Sequence, residues 1–240
     1  MKPGLFKRKK EEAGQESFAP LKVTTPAGET VVDLSPETAA IYRRWYTYLS
    51  REEALPKRFG LISAVRSEGV TNVALNLAAV VAADLGARVA LIECNWWWPG
   101  LAALAHLEPA PGFSEMVTGK TDTHKASRLT SLPNLTLYPA GQLAESLRSR
   151  TARSTGLVDA FSFLDRQYDH LILDLPAILA VKDSPVLAGL TDSLCLVIRQ
   201  GLTPMPIVKK ALDEIEHLCI RGAILNGTRL HIPGLLTSLF

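Results

Sequence analysis

Between residues 59 and 225 the chain alternates short, unbroken apolar runs with longer stretches of helical period. The runs are Phe59-Gly60-Leu61-Ile62-Ser63, Val89-Ala90-Leu91-Ile92, Leu135-Thr136-Leu137-Tyr138, Leu171-Ile172-Leu173, Leu194-Cys195-Leu196-Val197-Ile198 and Ala223-Ile224-Leu225. Helical patterns fill the gaps near 71–85, 157–167, 183–190 and 204–219. Strands that are apolar at consecutive positions are buried on both faces, which implies a parallel sheet covered by helices. The expected fold class is α/β, with one doubly wound, mostly parallel sheet. Ahead of it, Ser35 suits an N-cap and Pro36 a first helical position, opening a helix to about Ser50 with Ile41, Trp45 and Leu49 as its packing stripe. Residues 1–34 mix charge, proline and glycine without a period, and Val31-Val32 is the only apolar pair there that suggests a strand. The expected organisation is a flexible basic tail over 1–34 and a single domain over 35–240.

A length of 240 residues supports one sizeable α/β core. The formal charge of +2 gives no reason to expect a nucleic-acid partner. Basic residues do gather at the start, as Lys2, Lys7, Arg8, Lys9 and Lys10. Such a run is either a solvated tail or a peripheral contact with an anionic membrane, where each charge contributes about 1 kcal/mol. Cys94, Cys195 and Cys219 show no paired spacing, so reduced, buried thiols and a cytoplasmic setting are expected. No apolar segment follows the basic start as a signal peptide would require, and none approaches the ~18–20 residues of a membrane helix. The five histidines (His106, His124, His170, His217 and His231) have no metal-ligand spacing.

In an open parallel sheet, ligands bind where strands end and helices begin. The first such junction reads Ser63-Ala64-Val65-Arg66-Ser67-Glu68-Gly69-Val70-Thr71-Asn72. It has the outline of a phosphate-binding loop: a glycine to curl the backbone, amides at a helix start, and Thr71 where a hydroxyl would hold Mg²⁺. Val70 occupies the position of the expected lysine, and Ser67 replaces a glycine. The loop therefore lacks the ammonium that neutralises β/γ-phosphate charge during phosphoryl transfer. Arg66 lies in the same loop, but its stiff fork suits the narrow space of an ammonium poorly. Ser63 and Ser67 have no evident base partner for nucleophilic catalysis.

With these residues on view, the chain resembles the cytoplasmic ATPase domain of bacterial tyrosine kinases, the exopolysaccharide and capsule chain-length regulators related to MinD/ParA P-loop ATPases. Ser63, Glu68, Gly69, Thr71 and Asn76-Leu77-Ala78 match that family's loop and following helix. Pro111-Gly112-Phe113-Ser114, Pro139-Ala140-Gly141 and Tyr168-Asp169-His170-Leu171-Ile172-Leu173-Asp174-Leu175-Pro176 resemble later motifs, and Asp183, Val197, Arg199 and Leu225-Asn226 follow in register. The likeness spans roughly residues 36 to 229. It implies a P-loop NTPase fold, with a vestigial nucleotide site at Ser67, Glu68, Gly69, Val70, Thr71, Asn72, Asp174 and Asn226. Asp174 would be a metal or water-positioning residue and Asn226 an adenine contact; a carboxylate at a strand end and an asparagine before Gly227 also suit purely structural roles.

Where the family carries an acidic metal-linked motif, this chain has Glu93-Cys94-Asn95-Trp96-Trp97-Trp98-Pro99: the first carboxylate is lengthened, the second is an amide, and tryptophans replace a basic pair. The family's oligomer-forming helix motif falls on Ala40, Arg43 and Tyr46, leaving one charge. The end, His231 to Phe240, has no tyrosine to accept phosphate. The resemblance with these departures implies a pseudokinase: no catalytic residues, no tightly held cofactor and no resident metal. It would act as a cytoplasmic scaffold or regulator, at the inner face of the cell membrane, for a membrane-bound polysaccharide-assembly protein on a separate chain. Homo-oligomerisation stays open. Trp96, Trp97 and Trp98 are candidate partner anchors or a plug for the cleft, or else pack internally. Two alternatives stand beside this: a weak ATP- or ADP-binding ATPase or kinase of the same pathway, and a MinD/ParA-like membrane-positioning protein using the basic start or the apolar stretch 235–240.

Overall fold

The computed structural model describes residues 19–50 and 55–227, and the expected apolar runs are strands within it. The first elements are strands β1 (Leu21–Thr24) and β2 (Thr30–Leu34), helix α1 (Pro36–Leu49), strand β3 (Arg58–Ser63), helix α2 (Val70–Leu85) and strand β4 (Val89–Glu93). Short helices α3 (Leu101–Leu104), α4 (Phe113–Val117) and α5 (Thr123–Ala126) precede β5 (Arg128–Leu129) and β6 (Leu135–Tyr138). Then come α6 (Glu145–Ala152), α7 (Thr155–Gln167), β7 (His170–Asp174), α8 (Ser184–Ala188), β8 (Ser193–Arg199), α9 (Met205–Glu214) and β9 (Ile220–Asn226).

The larger sheet runs β5-β6-β4-β7-β3-β8-β9, parallel throughout except for β5 against β6. Alternate residues of one strand serve two cores. Leu61 and Leu91 pack with α1 and α2 on one face, whereas Ile62 and Ile92 pack with α4, α7 and α9 on the other. Helix α2 (VTNVALNLAAVVAADL) is apolar around most of its circumference and has ten buried residues, as a helix wedged between sheet and α1 must be.

Two expectations need correction. Residues 21–34 are not part of a tail: β1 and β2 form an antiparallel hairpin, and Val23, Val31, Val32 and Leu34 join the core beside α2. Thr25-Pro26-Ala27-Gly28 makes its turn, with Gly28 at φ 91° and the Thr25 hydroxyl accepting from the amide of Glu29. The basic residues before position 19 and the stretch after 227, including His231 and residues 235–240, lie outside the described residues. The packing face of α1 also differs. Ile41 is 59% exposed, and Ala39, Tyr42, Trp45, Tyr46 and Leu49 face the core, because a stripe at i, i+4 and i+8 drifts around a 3.6-residue helix. Ser35 does cap α1, accepting from the amide of Thr38. Arg43, the remaining charge of the oligomer-motif positions, grips Asp84 of α2 through two bonds of 2.7 and 3.1 Å. Cys94 and Cys195 are buried free thiols as expected, but Cys219 is exposed. Among the described residues no helix is long and apolar enough to cross a membrane.

Candidate functional site

The central strand β3 ends at Ser63, whose hydroxyl donates to the carbonyl of Val65 (2.8 Å). Beyond it the chain curls through two left-handed residues, Ser67 (φ 66°) and Gly69 (φ 89°), so that Gly69 becomes the N-cap of α2. Ser67 thus takes a conformation that glycine adopts at lower cost. The curl is fixed from inside by Glu68, only 1% exposed. Its carboxylate accepts from the amide of Val65 (2.9 Å), the amide of Arg199 (3.1 Å) and the hydroxyl of Thr203 (2.5 Å). Arg199 also donates to the carbonyl of Ser67 (3.2 Å), and Asn226 Nδ2 to that of Glu68 (2.8 Å). The ends of β8 and β9 therefore hold the loop in a phosphate-cradling shape.

A cleft of about 220 Å³ opens above this loop. Of the predicted residues, Ser67, Glu68, Gly69, Val70, Thr71 and Asp174 line it, joined by Arg66, Asn95 and Trp98. Asn72 and Asn226 do not. Asn72 sits exposed on α2, accepting from Asn76 Nδ2 (2.8 Å). Asn226 stands behind the loop, its Oδ1 accepting from the amide of Gly227 (2.9 Å), the turn arrangement rather than a free amide offered to a base. Val70 is 8% exposed and belongs to the core beneath α2, so the position of the expected ammonium holds an isopropyl group.

The two strand-end carboxylates have opposite situations. Glu93 and Asp174 are paired in register on adjacent strands. Glu93 is fully buried and saturated: Oε1 accepts from the amides of Gly100 (2.5 Å) and Leu101 (2.8 Å), and Oε2 from that of Ala140 (2.9 Å). Burial raises its pKa although these three amides oppose the shift. Asp174, 1% exposed, has no hydrogen-bond partner on either oxygen. Burial first, and then the nearby Glu93, push its carboxyl well above the usual range. The Thr71 hydroxyl lies near enough to favour the charged form, yet it closes no hydrogen bond, so burial decides the direction. Asn95 is engaged locally: its amide donates to the carbonyl of Trp98 (2.9 Å) and accepts from the Trp98 amide (3.2 Å). A Mg²⁺-phosphate group would thus find Thr71 and the orphaned Asp174 carboxylate suited to it, but neither Glu93 nor Asn95. Among the described residues no cluster of His, Cys, Asp and Glu could hold a metal ion on its own.

The three tryptophans divide. Trp96 is 3% exposed and stacks on Phe113 (centroids 6.4 Å apart, planes 19°). Trp97 is half-buried against it (6.3 Å). Trp98 is 37% exposed, lines the cleft, and carries the Arg66 guanidinium 3.8 Å from its ring centroid. Sequence reasoning located both partners but missed the pair, since 32 positions separate them and only the fold brings the two loops together.

No protein-family model matches the chain. Tyrosine-protein kinase YwqD of Bacillus subtilis is 30% identical over 177 residues, covering 71% of this chain and 72% of that protein. The succinoglycan biosynthesis transport protein ExoP of Rhizobium meliloti is 26% identical over 178 residues, covering 72% of this chain but 22% of that protein, so this chain spans about a fifth of its length. Among solved structures, the kinase domain of VpsO superposes with a TM-score of 0.72 at 26% identity, over 80% of this chain and 96% of that one. The Mg-ADP complex of the septum site-determining protein MinD from Pyrococcus horikoshii gives 0.58 at 19% identity over 77% and 76%, a likeness of fold.

Proposed function

This chain belongs to the family of bacterial tyrosine-protein kinases, and from that premise we propose that it is a non-catalytic member which works as a scaffold or regulator of exopolysaccharide assembly at the membrane. The observation that carries the reading is the chemistry of the cleft. Phosphoryl transfer needs positive charge at the β/γ-phosphates and a carboxylate-held metal. Here Val70 stands in the loop where a lysine would, the Glu93 carboxylate is saturated by three backbone amides, and Asn95 is closed onto Trp98. What remains is a preformed backbone cradle beside an aromatic arm, and Trp97 and Trp98 offer the exposed ring surface that protein interfaces use. The partner is a membrane-bound polysaccharide-assembly protein, met at the inner face of the membrane.

The test is genetic and biochemical together. In a strain lacking this protein, wild type and an Asp174→Asn variant should restore polysaccharide output equally, and the purified chain should show neither ATP turnover nor tyrosine phosphorylation. Restoration by wild type alone, with turnover that disappears in the variant, would refute the proposal.

A second reading, a nucleotide-responsive protein, is favoured by Asp174, whose unpartnered oxygens beside Thr71 suit a metal-bound phosphate. Bound Mg²⁺ would there supply charge neutralisation. Calorimetric titration of Mg-ATP and Mg-ADP separates the readings: micromolar binding favours the second, and no heat at millimolar nucleotide removes it.

A further inference from the structure

Trp98 is anchored at the cleft by its neighbours. The Asn95 side chain pins its backbone through two hydrogen bonds, Trp96, two residues before it, is buried on Phe113, and Glu93 clamps the amides of Gly100 and Leu101 where the arm rejoins the fold. Arg66 faces it as an exposed side chain of the loop, with its guanidinium over the Trp98 ring. Both line the same cleft as the N-terminus of the 16-residue helix α2 and the buried, unpartnered carboxylate of Asp174. Helix N-terminus and carboxylate point independently to a metal-bound phosphate group as the occupant.

We propose that Arg66 and Trp98 form a latch over the phosphate cradle, and that a metal-bound polyphosphate enters by drawing the Arg66 guanidinium off the indole and onto its own oxygens. The proposal deepens the nucleotide-responsive reading of this site, on which it rests, by assigning an anion-reading residue and a gate. The chemistry favours the exchange. A guanidinium offers a planar fork that matches two phosphate oxygens, and charge-assisted bonds of that kind outweigh an exposed cation–π contact. Because Arg66 reaches in from the mouth, while an ammonium at position 70 would lie at the base of the nest, it meets the terminal phosphate of a chain without requiring a nucleoside. Occupancy would then be reported at the surface. With the guanidinium withdrawn, the outer face of Trp98 becomes free, and the aromatic arm changes its presented surface between ligand-bound and ligand-free states.

Calorimetric titration of pyrophosphate, tripolyphosphate and ATP, each with Mg²⁺, into the full chain and its variants tests this. Trp98→Ala should tighten binding of all three by about 2- to 5-fold, the factor set by an exposed cation–π contact. Arg66→Ala should weaken it at least tenfold, with tripolyphosphate bound as well as ATP. The proposal is overturned if Trp98→Ala leaves affinity unchanged or weakens it, if Arg66→Ala binds like wild type, or if neither wild type nor Trp98→Ala takes up any of the three. The same titrations keep the two failures apart. Absence of uptake by wild type and both variants would remove the nucleotide-responsive reading together with the latch, whereas wild-type binding that Trp98→Ala leaves unaltered would remove the latch alone.

Discussion

Gly69 and Asn226 are fitted to each other: a Cβ added to Gly69 would lie 2.2 Å from Nδ2 of Asn226, the atom that donates to the Glu68 carbonyl. Gly69→Ala therefore combines the strain of a left-handed alanine with displacement of that amide. The expected loss is roughly 2 kcal/mol in a denaturant titration. In an Asn226→Ala background the same change should cost less, because the collision is gone. Equal costs in both backgrounds would mean that the two residues do not oppose each other.

Asp174 makes a pH-dependent prediction. Its folded carboxyl titrates above the unfolded one, which lies near about 3.9. Its contribution to stability is therefore fully present below that pH and lost as pH rises through the folded value. Asp174→Asn does not titrate and relieves the neighbouring Glu93, so it should be the more stable protein at pH 7 in metal-free buffer, by roughly 1–3 kcal/mol. That advantage should shrink toward pH 4. An advantage that grows on acidification would contradict the burial argument.

Glu93 should behave as a structural residue. Glu93→Gln sets an amide against the amide of Ala140 or against those of Gly100 and Leu101, leaving at least one buried donor unmatched. A loss of about 1–3 kcal/mol is expected on thermal or chemical unfolding. A neutral result would show that these contacts are replaced by water.

The tryptophans should separate by burial. Trp96→Ala removes a side chain 3% exposed in an aromatic stack and should cost about 3–5 kcal/mol. Trp98→Ala, more than a third exposed, should cost under about 1 kcal/mol. Similar losses at both would place the Trp98 ring in the core beside Trp96.

Val70→Lys restores charge to the base of the nest. Mg-ATP affinity should rise by tenfold or more in calorimetry, the scale of one charge-assisted phosphate contact. Tyrosine phosphorylation should stay absent, because Glu93 and Asn95 remain engaged elsewhere. Phosphorylation in this single variant would show that the lysine alone was missing.

The sheet was legible because β3, β4, β7 and β8 are buried on both sides and leave runs of consecutive apolar residues. The β1–β2 hairpin was not. β1 buries only Val23 among its four residues, so it shows no run and little alternation; Val31-Val32 of β2 was the hairpin's one readable signal. The loop was legible as a phosphate cradle from Gly69 and Thr71, but Glu68 entered it only as a nucleotide-site candidate. Its inward role depends on Arg199 and Thr203, more than 130 positions away, and no local pattern announces such partners. Of the two roles open to Asn226, ligand contact or turn, the sequence could not show the bond it makes, because its partner is the main chain of a distant loop.

The length of the side chain at position 93 ties two parts of the molecule together. An aspartate there is one methylene too short to span the amides of Gly100, Leu101 and Ala140 that Glu93 joins. The same carboxylate that closes the end of β4 thus seats the base of the tryptophan arm, and a change of side-chain length at this position is felt at both.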